Sequence, residues 1–168
     1  MPERARILLV EDDDDLRRML SVTLGRLAHV HTARDGEEAL TWLRTSPAPD
    51  VIVSDVMMPR VGGIELARAL KHDQRLSGIP LVLLSAATDP KTVVTGINAG
   101  ARQYLTKPFK SADLESRVKK LLALRAGEKV AGAGAEPERT VASDVSLDEL
   151  PFDLDIDVVP FDEMTSTG

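Results

Sequence analysis

Val51-Ile52-Val53-Ser54-Asp55-Val56-Met57-Met58-Pro59 is a β-branched, apolar run that ends at a single carboxylate and then breaks into a turn. Gly62-Gly63 follows and opens a helical pattern. An apolar run of this length, closed by turn residues, reads as a buried strand of a parallel sheet. In an open α/β sheet, ligands gather beyond the carboxyl ends of the strands. Asp55 stands at such an end, so the rest of the chain is read for groups that converge on it.

Upstream, Ile7-Leu8-Leu9-Val10 is a second continuous apolar run, stopped by the acids Glu11 to Asp15. Leu16, Met19, Leu20, Thr23 and Leu24 then recur at helical spacing, with Asp13 or Asp14 as the cap. Ala28 to Ala33 alternates weakly and reads as a half-exposed strand. Asp35-Gly36-Glu37-Glu38 opens a helix carrying Ala39, Leu40, Trp42 and Leu43, ended at Ser46-Pro47. Downstream, Ile64 to Lys71 reads as a helix and Pro80 to Leu84 as a buried strand ending at Ser85. Asp89-Pro90 supplies a cap and a first-turn proline for a helix that stops near Gly100. Arg102-Gln103-Tyr104-Leu105 is a short fifth strand before Thr106-Lys107-Pro108, and a last helix starts at Ser111 with Leu114, Val118, Leu121 and Leu122 inward. Five strands alternating with five helices predict an α/β fold, a doubly wound parallel sheet covered on both faces.

Composition narrows the function classes. Hydrophobic residues make up 43% and charged residues 29% of the 168, which fits a soluble globular protein. Aromatics are only 3%, so aliphatic side chains must fill the core. The absence of cysteine excludes disulfides, iron–sulfur clusters and thiolate zinc sites and suits a reducing cytoplasm. No apolar run is long enough for a membrane span, and the first residues lack the shape of a signal peptide. Residues 126–168 carry 11 acids against 2 bases, whereas residues 1–125 carry 16 against 19. The acidity therefore lies in the tail, which makes nucleic acid an unsuitable partner for that tail.

The strand ends gather polar chemistry on one rim: Glu11 and Asp12, Asp55, Ser85, and Lys107 before a proline. Adjacent carboxylates repel unless a cation joins them, and hard oxygen ligands with room for water suit Mg²⁺. A lysine supplies a compact charge for a phosphate-like oxygen, and a serine hydroxyl can donate to another. A carboxylate in this setting can accept a phosphoryl group. The motifs Val10-Glu11-Asp12, Asp55-Val56-Met57-Met58-Pro59 with Gly63, Ser85-Ala86, and Tyr104-Leu105-Thr106-Lys107-Pro108 resemble those of receiver domains of bacterial response regulators, the chemotaxis regulators included. The resemblance covers about residues 4–124.

That resemblance implies a flavodoxin-like sheet of order 2-1-3-4-5 and a phosphorylation-activated switch in two-component signalling. The phosphoryl donor would be a histidine kinase or phosphotransfer protein. By position, Asp55 resembles the phosphoacceptor. Asp12 resembles the direct Mg²⁺ ligand, Glu11 one acting through water, and Met57 a backbone-carbonyl ligand. Lys107 would pair with the phosphoryl group, its bond to Pro108 being cis. Ser85 resembles the switch hydroxyl, and Tyr104 the aromatic that turns inward with it. Met57 and Ala87 are apolar where relatives often place polar side chains that position the hydrolytic water, which implies slow self-dephosphorylation.

Two other readings compete: a phosphate-independent interaction module, opposed by the intact Asp12/Asp55/Lys107 set, and an enzyme. For the latter, no glycine-rich phosphate loop follows the first strand. Asp155-Ile156-Asp157-Val158-Val159 matches a phosphatase motif, but only eleven residues follow Asp157. His29, His31 and His72 lack further ligands at metal-binding spacing, and Met57-Met58 reads as turn and packing. The domain expectation is a receiver at 4–125, a flexible linker at 126–144 and an acidic, disordered tail at 145–168. Such a chain would be a cytoplasmic single-domain regulator, no enzyme in the usual sense, with no DNA-binding domain and no membrane association. Its downstream protein target is open, and a phosphorylation-dependent dimer is compatible with it.

Overall fold

The structure, a computed structural model, describes residues 4–86 and 90–131, with the backbone alone for 128–131. Along the described chain run β1 (Arg6–Val10), α1 (Asp14–Gly25), β2 (His29–Ala33), α2 (Gly36–Thr45), β3 (Val51–Asp55), α3 (Gly63–His72), β4 (Leu81–Ser85), α4 (Pro90–Asn98), β5 (Gln103–Thr106) and α5 (Ser111–Ala131). The strands pair in parallel in the order β2-β1-β3-β4-β5, the topology expected.

Successive side chains of a strand point to opposite faces, and here both faces are covered. Leu8, Val10, Ile52, Leu81, Leu83 and Tyr104 share one core with Leu43 of α2, Leu66 of α3 and Val93 of α4. Ile7, Leu9, Val51, Val53, Val82, Leu84 and Leu105 share the other with Leu20 and Leu24 of α1 and Leu114, Val118 and Leu121 of α5. Fully burying a side chain of this size stabilises by about 2 kcal/mol, so aliphatic area on two faces makes up for the scarcity of aromatics. Among the described residues no helix is long and apolar enough to cross a membrane.

Helix starts follow their caps. Asp13 rather than Asp14 caps α1, its Oδ1 accepting from the Leu16 N–H at 2.8 Å. Asp35 caps α2, accepting from the Glu38 N–H at 2.8 Å. α4 begins at Pro90 as expected; its expected cap, Asp89, lies outside the described residues, as does Ala87.

Two boundaries differ from expectation. β5 is set one residue later, Gln103–Thr106, with all four residues buried. α5 continues past Arg125 to Ala131. The Ala and Gly of this stretch suggested a linker, but Ala126, Glu128 and Lys129 are strong helix formers, and one interior glycine costs a helix only about 1 kcal/mol. The rest of the expected linker and the acidic tail lie outside the described residues.

Register aligns the strand ends. Val10 pairs with Ser54, Asp55 with Leu84, and Ser85 with Thr106. Beyond them the ladder runs on: Val56 N–H donates to the Leu84 carbonyl and Lys107 N–H to the Ser85 carbonyl, each at 2.8 Å. The residues just past β1, β3 and β5 are thereby delivered to one rim.

Candidate functional site

Asp55 closes β3 and is buried at 6% exposure. α3 begins directly behind it. A Cβ at Gly63 would strike the Asp55 carbonyl oxygen, and the Gly63 N–H donates to the Val56 carbonyl at 3.0 Å. Glycine at 63 is what lets the helix start so close to the carboxylate.

Lys107 reaches the same point from β5. Its Nζ donates to Asp55 Oδ2 at 3.1 Å and to Glu11 Oε2 at 3.4 Å. The Lys107–Pro108 peptide is cis, as the resemblance implied. Glu11 is buried and Asp12 exposed, and single oxygens of Glu11, Asp12 and Asp55 lie within 4.8 Å of one another. The sequence expectation that these four side chains converge matches the geometry.

The electrostatics describe a site with surplus negative charge. Burial, and then the charge of Asp55, push the Glu11 carboxyl up from its ordinary 4.5 to about 7, against the Asp13 N–H and Lys107. The Asp13 N–H donates to Glu11 Oε1 at 3.2 Å. For Lys107, burial works against the charged form. The charge and hydrogen bond of Asp55, with those of Glu11, outweigh it and hold the ammonium above its ordinary value. Three oxygen donors, one of them open to solvent, with charge left to neutralise, fit a hard divalent cation that keeps some of its water.

The remaining expected residues fall around this centre. Ser85 ends β4 and is fully buried. Tyr104 is also buried, at 1%, its ring in a notch left by Gly96 of α4: a Cβ there would lie 3.3 Å from Tyr104 Cε2 and 2.9 Å from Leu83 Cδ1. Met57 is 72% exposed, so its side chain does not pack as the sequence suggested; Met58 alone of the pair rests on the core. His31 stacks on Trp42 with ring centroids 4.4 Å apart.

Sequence reasoning missed Arg60. Its guanidinium lies 2.6 Å from Asp35 Oδ2, and its backbone is left-handed at φ 67°. Asp35 carried a helix-cap signal in the sequence; Arg60 carried none beyond its place after Pro59.

Residues 7–119 match the family model described as "Response regulator receiver domain". The chain belongs to that family, the receiver domains of two-component response regulators, which are phosphorylation-activated switches. The DNA-binding response regulator MtrA of Mycolicibacterium smegmatis is 37% identical over 161 residues, covering 90% of this chain and 69% of that protein. The transcriptional regulatory protein AfsQ1 of Streptomyces coelicolor is 40% identical, covering 73% of this chain and 52% of that protein. Among solved structures, chemotaxis response regulator CheY4 of Vibrio cholerae is 34% identical with a TM-score of 0.65, over 70% of this chain and 98% of that one. Receiver domains of this family generally bind Mg²⁺, and the acidic cluster here is consistent with that.

These relatives overturn the expected partner set. A regulator with no DNA-binding domain was expected, yet MtrA is a DNA-binding response regulator and AfsQ1 a transcriptional regulatory protein, and the chain spans only about half of AfsQ1. The physical reason is plain: an acidic composition beyond the receiver carries no information about the output to which a receiver is coupled.

Proposed function

We propose that Asp55 is the phosphoacceptor of this receiver. The observation that carries the reading is the Lys107 ammonium 3.1 Å from the Asp55 carboxylate, with the oxygens of Glu11 and Asp12 close by. An Asp55 oxygen attacks phosphorus and forms a new O–P bond. The bond from phosphorus to the donor's leaving atom breaks, and the leaving group departs with that electron pair. Lys107 pairs with a phosphoryl oxygen as charge shifts onto it, and the Ser85 hydroxyl, one strand away, is the donor for another. Glu11, Asp12, Asp55 and the Met57 backbone carbonyl would hold Mg²⁺. When bound, the metal supplies charge neutralisation on the transferred group. Tyr104, buried beside Gly96, is the aromatic whose inward seat is linked to the phosphorylated state, as a shift between pre-existing conformations. From the DNA-binding relatives we infer that the switch controls a DNA-binding output, joined to this receiver or met as a separate chain.

The test is the intact mass of the protein after incubation with acetyl phosphate and Mg²⁺. A phosphoryl adduct is expected in wild type, lost without Mg²⁺ and lost in Asp55→Asn. An adduct that persists in Asp55→Asn would place the acceptor elsewhere.

A further inference from the structure

We propose that Asp35 and Arg60 form a clasp that sets the β3–α3 loop, and through it the Met57 backbone, so that both are positioning residues for phosphoryl transfer. The inference rests on the reading of Asp55 above. The loop leaves Asp55, turns through Met57 to Gly62, and returns to α3 beside the same residue. Its base is tied by the Gly63 N–H to the Val56 carbonyl at 3.0 Å. Its far side rests on the first turn of α2, where the Gly36 N–H donates to the Val61 carbonyl at 2.9 Å. A Cβ on Gly36 would lie 2.5 to 2.9 Å from the side chain and carbonyl oxygen of Val61, so the helix backbone sits directly against the loop.

Met57 to Arg60 span the stretch between these ties. The Met57 side chain is exposed and cannot anchor it, and Met58 packs on the core at only one point of the turn. Arg60 can. Its guanidinium bonds Asp35 Oδ2 at 2.6 Å and lies 3.8 Å from Glu37. Asp35 is itself a fixed point: its side chain is 2% exposed, and its other oxygen caps α2 through Glu38. The Arg60 side chain is 66% exposed, so the hold comes from the Asp35 end, where a buried carboxylate that loses its cation is penalised more than one on the surface. Arg60 also holds φ 67°, a conformation easy for glycine and strained for arginine. A residue held there is kept in place by the contacts around it, of which the guanidinium–carboxylate bond is one. The clasp thereby makes the first turn of α2 part of the scaffold of the acceptor loop.

Three variants separate positioning from plain stability. Arg60→Gly removes the guanidinium and relaxes the backbone. Asp35→Asn keeps an acceptor for the α2 cap and removes the charge. Arg60→Lys restores a cation. Calorimetric Mg²⁺ titration, the initial rate of the acetyl phosphate reaction, amide exchange at Gly36 and Gly63, and melting temperature are read for each. Arg60→Gly and Asp35→Asn are expected to bind Mg²⁺ about tenfold more weakly, to phosphorylate more slowly and to exchange faster at both glycines. Arg60→Lys is expected to recover part of each. Mg²⁺ affinity and rate equal to wild type in Arg60→Gly and Asp35→Asn, whatever their melting temperatures, would overturn the clasp while leaving Asp55 as acceptor. A wild type that takes no phosphoryl group at Asp55 would instead overturn the underlying reading, and the clasp with it.

Discussion

The role proposed for Met57 lies in its backbone carbonyl and not in its side chain. It sits two residues past Asp55, on the loop just described, and points 72% exposed into solvent. An apolar side chain there can neither hold nor orient an attacking water. Met57→Asn is therefore expected to shorten the lifetime of the aspartyl phosphate several-fold, read by the decay of the intact-mass adduct after the donor is removed. An unchanged lifetime would show that water is positioned by other groups. The four charged residues of the centre were legible in the sequence because each stands just past an apolar run or before a proline. Arg60 was not, because an ion pair between two loops depends on where the chain folds back.

At the scale of elements, the junction of β3 with α3 bears the tightest constraint. The helix starts against the Asp55 carbonyl because Gly63 has no Cβ. Gly63→Ala is expected to destabilise the fold by about 1–3 kcal/mol, as overpacking does, although alanine is ordinarily the better helix former. Denaturant unfolding of the two proteins measures this, and a more stable alanine variant would show that the strand end yields. Most elements were readable because an apolar run, a cap and a turn agree in each. α5 was read short because alanine and glycine look alike as composition but behave differently in a helix, and because no proline separates Arg125 from Ala131.

For the whole molecule, charge at the rim and stability of the fold are linked. Glu11 is held up near 7 in the fold against its ordinary 4.5. Between those values the unfolded chain binds fewer protons at Glu11 than the folded one, so stability falls as pH rises through this window. Below about 4.5 the contribution of Glu11 is fully present, and above about 7 it is lost. Thermal melts with EDTA at pH 5 and pH 8 are expected to show wild type losing more stability than Glu11→Gln over that interval. Added Mg²⁺ is expected to narrow the difference at pH 8, because it favours the ionised carboxylate. Equal losses in the two proteins would show that Glu11 is already compensated by its neighbours.

The sequence by itself determined the alternation of strands and helices, the parallel sheet and the strand ends at which chemistry could gather, because burial and capping are local in the chain. Its motifs also determined the family. Only the tertiary structure decided which oxygens stand within reach of Lys107, that Tyr104 lies in the notch beside Gly96, and that Asp35 meets Arg60. Those contacts join residues far apart in the chain, and their geometry follows from sheet register and helix placement, which no local pattern encodes.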